Sequence, residues 1–159
     1  MVDPMDALAK LQEAVEGGWV ELRPGEIYTD LGVWLDKPEG KTRLTYAKVT
    51  GRRVDAIALF CLNGKIQGVP CFQTGYAVVE SEREKGFASD LVSKGIQEMR
   101  IGFGKRGAKA FYVEAVVGLT NIASNKLASR ILSSAPETIT DEFSGEPALR
   151  YVKLFQCEI

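Results

Sequence analysis

Three apolar runs in quick succession, Leu44 to Thr50, Val54 to Leu62 and Phe72 to Val79, constrain the fold of this 159-residue chain more than any other feature. Each is rich in β-branched and aromatic residues, and Gly51-Arg52-Arg53 and Asn63-Gly64 punctuate them. Turns that short join antiparallel neighbours, so the runs predict three consecutive strands, with Gly64 to Pro70 as a longer excursion before the third. With 45% apolar and 26% charged residues, the chain can bury a core without disulfides.

The pattern on either side is mixed. Asp3-Pro4 reads as a helix start, and Met5, Leu8, Leu11 and Val15 share one face until Gly17-Gly18 stops the helix. Trp19 to Leu22 reads as a short strand and the chain to Lys41 as irregular, with no amphipathic helix between Arg23 and Lys41. After Glu80, helical spacing returns in Phe87, Leu91, Gly95, Ile96, Met99 and Phe103, and Gly102, Gly104 and Gly107 mark the end. Ala110 to Val117 reads as a central strand. Thr120 reads as the cap of a helix running to about Leu132, with Ala123, Leu127 and Ile131 on one face. Thr138 to Phe143 and Leu149 to Phe155 form the last two strands, joined by Ser144-Gly145-Glu146-Pro147. Residues 1–159 thus read as one α/β (α+β) domain, with 1–43 as a divergent amino-terminal segment.

Composition removes several classes of function. Twenty basic against twenty-one acidic residues give a net charge of −1, which argues against a nucleic-acid partner. The chain has no histidine, which excludes Ser-His-Asp and Cys-His nucleophiles, H-E-x-x-H metal sites and imidazole proton transfer. Cys61, Cys71 and Cys157 lack metal-ligand spacing and are odd in number, so no metal and no disulfide framework is expected. No apolar stretch is long enough for a membrane span, and Met1 to Pro4 lacks the layout of a signal peptide, so a cytoplasmic protein is expected.

The chemistry concentrates where Val78-Val79-Glu80-Ser81-Glu82 leads through Arg83-Glu84-Lys85-Gly86 into the helix opening at Phe87-Ala88. The first amides of a helix have no intrahelical partner and lie at the positive end of its dipole, so they attract a phosphate. Gly86 permits close approach, Phe87 anchors the helix inward and Ala88 keeps the first turn clear. Arg83 and Lys85 add positive charge, and basic residues outnumber acidic ones from Ser81 to Lys109. A glycine before a helix also serves purely steric needs, and the residues alone leave that reading open.

Arg83-Glu84-Lys85-Gly86-Phe87-Ala88 resembles the R/Q-x-x-G-x-G/A signature of the GCN5-related N-acetyltransferases (GNATs). Downstream, Asn121-Ile122-Ala123-Ser124-Asn125-Lys126-Leu127-Ala128 is similar to the N-x-x-S-N-x-x-A segment of the branch that acetylates protein N-termini, ribosomal proteins included. Phe143-Ser144-Gly145 and the strand Tyr151 to Phe155 extend the likeness, which covers Leu44 to Phe155. The resemblance implies a mixed, mostly antiparallel sheet with flanking helices, splayed in a V between the strand ending near Val79 and Ala110 to Val117. It further implies acetyl-CoA as cofactor. Backbone groups at Val78 and Val79 would hold the pantetheine arm, Arg83, Glu84, Lys85, Gly86, Phe87 and Ala88 the pyrophosphate, and Asn121 the arm again. The implied reaction is direct attack of a primary amine on the thioester, with the amine carried by a small molecule, a peptide or a protein N-terminus.

The sequence departs from the family at two places. Ala128 stands where many relatives carry a thiolate-protonating tyrosine, and Ser124 is the candidate substitute in this branch. A base is sought in Glu114, a carboxylate between Val113 and Ala115 whose pKa burial could raise, with Glu80 second; a solvated sheet face is the other reading of Glu114. Relatives also place two helices between the first and second strands, a region that shapes the acceptor pocket. Tyr76 and Tyr112 are candidates to line the acceptor side, and Glu137, Asp141, Glu142 and Glu146 on the last hairpin favour a cationic acceptor. The alternative is a CoA-binding or regulatory module with weakened catalysis, and on the main reading the protein is expected to be a monomer or homodimer. A nucleotide-binding enzyme is disfavoured, because neither G-x-x-x-x-G-K-[ST] nor G-x-G-x-x-G after a first strand is present.

Overall fold

The computed structural model describes residues 3 to 158, as three α-helices and one eight-stranded sheet. Helix α1 (Pro4–Glu16) begins as its sequence predicts, with the Asp3 carboxylate accepting the Met5 N–H at 2.9 Å and proline in the first turn. The strands follow as β1 (Arg23–Pro24), β2 (Leu31–Asp36), β3 (Arg43–Thr50), β4 (Arg53–Ile66) and β5 (Val69–Val78). After these come α2 (Phe87–Lys105), β6 (Ala110–Gly118), α3 (Ile122–Ile131), β7 (Glu137–Thr140) and β8 (Pro147–Gln156). The strand order is β1-β2-β3-β4-β5-β6-β8-β7, and every adjacent pair is antiparallel except β5 and β6.

That one parallel pair opens the sheet. Strands β5 and β6 hydrogen-bond only where Cys71, Phe72 and Gln73 face Tyr112, Val113 and Glu114, and beyond Thr74 and Ala115 they separate. The sheet is thus mixed, mostly antiparallel and split in a V at the position the resemblance implies.

Side-chain alternation divides the core into two layers. On one face, α2 and α3 bury Leu91, Ile96, Met99 and Ala128 against Tyr46, Phe60, Phe72 and Phe111. On the other, α1 buries Ala7, Leu8 and Leu11 against Ala47, Ile57, Leu59 and Ala77. Gly95 lets α2 approach closely, since a Cβ there would meet the Phe60 ring at 2.8 Å and the Tyr46 ring at 2.9 Å. No helix among the described residues is long and apolar enough to cross a membrane.

Several boundaries differ from the sequence reading. Trp19 to Leu22 is not a strand, and the stretch read as irregular contains β1 and the six-residue β2, which pairs with β3 along its whole length. Asn63-Gly64 does not end β4. Its positive-φ glycine forms a bulge, and the chain turns at Gln67-Gly68, whose φ values of 50° and 79° suit a tight two-residue hairpin. The longer excursion before β5 is therefore absent. Helix α2 passes through Gly102 and Gly104, because a side chain at Gly104 would strike the Glu158 carbonyl at 1.7 Å. The cap of α3 is Asn121 rather than Thr120, and β7 stops at Thr140.

Candidate functional site

The open part of the V holds a cavity of about 290 Å3. Thr74, Gly75 and Tyr76 of β5 form one wall and Ala115 to Gly118 of β6 the other, with Asn121, Ser124 and Ala128 of α3 above. Val92 of α2 and Pro4 of α1 also line it, so elements from both faces of the sheet reach the same space.

From the end of β5, Val79 donates its N–H to the Asp55 carbonyl and a single 3-10 turn, Glu80–Glu82, leads to Arg83. Glu84 (φ 65°) and Gly86 (φ 78°) both lie in the left-handed region, while Lys85 between them does not, an alternation that turns successive N–H groups toward one side. Nothing lies within 4 Å of the position of a Gly86 Cβ, so backbone conformation rather than packing requires the glycine. The first intrahelical bond of α2 is Asp90 N–H to Gly86 O, and no side chain caps the helix. The amides of Phe87, Ala88 and Ser89 are consequently open to an anion, and the loop fits a diphosphate.

The loop cations are arranged otherwise than the sequence reading expected. Lys85 is paired with Glu82 at 2.7 Å, and Glu82 also holds Arg53 at 3.1 Å. Arg83 folds back, its Nε donating to the Val78 carbonyl at 3.1 Å and its guanidinium touching the Met5 sulfur at 3.9 Å. Both side chains therefore have partners within the chain, and the Val78 carbonyl is engaged.

At the opposite wall, Asn121 Oδ1 accepts the Ser124 N–H at 3.2 Å as the α3 cap. Asn125 is fixed three ways: its amide donates to the Gly118 and Asn121 carbonyls and its oxygen accepts from buried Tyr151 at 2.7 Å. This second asparagine therefore locks α3 to β6 and β8. Ser124 shares a hydrogen bond with Tyr76, so hydroxyls from β5 and α3 meet at the cavity wall. Sequence reading listed both residues but could not pair them. Ala128 is 1% exposed and leaves open the space that a larger side chain would fill.

Of the two settings considered for Glu114, the structure shows the buried one, with an arginine beside it. It is buried, not solvated, and its Oε2 accepts from Arg150 Nε at 2.5 Å; Arg150 in turn reaches Glu137 at 3.2 Å. Neither Glu114 nor Tyr112 lines the cavity, and Glu80 is exposed in the turn after β5. Of the four hairpin acids, Glu137 is thus already neutralised.

Missed altogether was Glu98. It lies on α2 with 6% exposure, and its carboxylate accepts the backbone N–H groups of Glu26, Ile27 and Tyr28 at 3.0, 2.9 and 3.1 Å. A glutamate amid apolar helix positions was the only signal, and its partners lie far upstream in the chain.

No family model and no curated protein sequence matches the chain. Solved structures do match its fold. Ribosomal-protein-S5-alanine acetyltransferase from Vibrio fischeri superposes with a TM-score of 0.53 at 13% identity, over 71% of this chain and 61% of that one. RimJ of Mycobacterium smegmatis, solved in complex with CoA-disulfide, gives 0.54 at 14% identity, over 74% and 54%. YncA from Salmonella typhimurium, solved with its cofactor acetyl-CoA, gives 0.50 at 20% identity, over 74% and 65%. The chain therefore has the fold of the GCN5-related N-acetyltransferases. It spans less than two thirds of the length of each of these three proteins.

Proposed function

We propose that the chain is an acetyl-CoA-dependent N-acetyltransferase of the cytoplasm, acting on a primary amine. The observation that carries this reading is that three features flank one opening in the sheet: the free amides of Phe87 to Ser89 at the start of α2, the separated edges of β5 and β6, and the Tyr76–Ser124 hydroxyl pair at the cavity wall. The amides after Glu84 and Gly86 hold the pyrophosphate. The unpaired edge from Thr74 toward Val78 and the Asn121 amide group hold the arm.

Acetyl-CoA supplies an acyl thioester, so the protein need not furnish a nucleophile, which suits a chain without histidine. The roles left to its own residues are binding, orientation and proton supply. Ser124 is a weak acid, and its bond to the more acidic Tyr76 phenol gives the pair an ordered proton to donate at the cavity. This reading gives Glu114 no part as base, because Arg150 pairs with it and it does not line the cavity.

Titrating the full chain with acetyl-CoA and assaying transfer to a panel of peptide α-amines and polyamines tests the reading. Saturable binding with turnover of at least one amine is expected. Binding without turnover on any amine would favour the CoA-binding module, and absence of both would overturn the proposal.

A further inference from the structure

A second, larger cavity of about 420 Å3 lies away from the cleft, between the β1–β3 edge of the sheet and the carboxy-terminal half of α2. Its size falls among pockets that take small organic ligands. One cross-strand row sets its chemistry. Arg23 of β1 pairs with Val33 of β2, and Val33 pairs with Tyr46 of β3, so the three side chains share a face. Leu44 lies on the same face two residues from Tyr46, and Met99 and Phe103 of α2 close the apolar wall opposite.

The charged groups here are unevenly partnered. Both acids of the lining are spent: Glu98 on three backbone amides and Glu26 on Lys105 at 2.9 Å. Arg23 and Arg106, which also line the cavity, have side chains with no ion-pair or hydrogen-bond partner among the described residues. A buried donor is unspent as well. Tyr46 is only 4% exposed and its hydroxyl has no partner among the described residues, yet no side-chain polar atom is sealed from solvent without one. The hydroxyl must therefore open on the cavity that the residue lines. Burial, reinforced by Glu98 and Glu26, raises the Tyr46 pKa and keeps the phenol a neutral donor.

We propose that this cavity binds a small organic carboxylate with an aromatic or branched aliphatic body. The body lies against Val33, Leu44, Met99 and Phe103, Arg23 and Arg106 take the carboxylate, and the Tyr46 hydroxyl donates to it. Guanidinium pairs suit a planar carboxylate better than any neutral head group. The site is separate from the cleft and does not depend on what the cleft binds.

Calorimetric titration of the full chain with phenylacetate, 4-methylpentanoate and the neutral isostere phenylacetamide decides the matter. At least one carboxylate is expected to bind with a Kd in the millimolar range or tighter, and phenylacetamide about tenfold more weakly than phenylacetate. The Arg23→Gln, Arg106→Gln double variant should lose about tenfold in carboxylate affinity, and Tyr46→Phe severalfold, with unchanged thermal midpoints. Saturating CoA should leave the titration unchanged. The proposal fails if neither carboxylate binds saturably, if the amide binds as well as the acid, if the arginine variant keeps full affinity, or if CoA displaces the carboxylate.

Discussion

The hydroxyls of Tyr76 and Ser124 share a hydrogen bond between the middle of β5 and the first turn of α3, joining the two elements that flank the open V. If this pair holds the transferable proton, Tyr76→Phe and Ser124→Ala should each lower kcat by about tenfold or more, with little change in KM for acetyl-CoA. Because the two act as one donor, the double variant should be hardly slower than either single one. Steady-state kinetics on the best amine measures this, and full activity in both single variants removes the pair from catalysis.

Gly86 has a left-handed backbone with empty space around it, so Gly86→Ala tests conformation alone. The substitution should cost about 1 kcal/mol of stability and weaken acetyl-CoA binding severalfold. Urea unfolding and calorimetry measure the two effects separately. Unchanged affinity would show that the loop does not hold the pyrophosphate.

Glu98 ties α2 to residues 26 to 28 through three amides. Glu98→Ala strands those donors and should cost about 3 kcal/mol by urea unfolding. Glu98→Gln keeps one acceptor oxygen and should cost less.

Asp55 gives a pH dependence. Burial pushes its carboxyl up, but hydrogen bonds from Thr50 and Arg53 and the charges of Arg53 and Lys48 outweigh it, leaving the pKa below the ordinary 3.8. A pKa depressed in the folded state contributes stability that is present above the unfolded value and is lost as the pH falls through the folded one. The thermal midpoint should therefore drop on acidification below about pH 4. Asp55→Asn should flatten that part of the curve, and a wild-type slope in the variant would assign the acid limb to other groups.

Glu114→Gln should leave the acid limb of the pH–rate profile in place, because Arg150 holds this carboxylate outside the cavity. Its effect should fall on stability instead, at about 1 kcal/mol, through the loss of a charge-assisted bond. Loss of the limb would restore Glu114 as the base.

The parts of this molecule that were legible in its sequence are those written locally. Asp3-Pro4, the glycine before Phe87 and the apolar spacing of α2 each specify an element within one or two turns, and the V follows from resemblance in the Arg83 to Ala88 and Asn121 to Ala128 segments. Strand β2 escaped because its register with β3 supplies the order that its own irregular alternation does not. Asn63-Gly64 misled because a positive-φ glycine serves a bulge as well as a turn. In the site, Tyr76 with Ser124, Glu114 with Arg150 and Glu98 with residues 26 to 28 are all contacts between distant segments, and no local pattern encodes such a pairing.

Pro4 has a consequence for how the protein reaches its working form. It lines the same cavity as Gly75, Val116 and Gly118, residues far downstream, while the rest of α1 rests on β4 and β5. The helix must therefore wait for strands synthesised after it before it has a surface to bury. Docking of α1 is a high-contact-order event, and folding speed falls as such contacts accumulate. The cleft is then shut on its α1 side only when the chain has nearly finished folding. Slow or incomplete docking would yield a molecule with an intact loop at Gly86 and a cleft open at both ends.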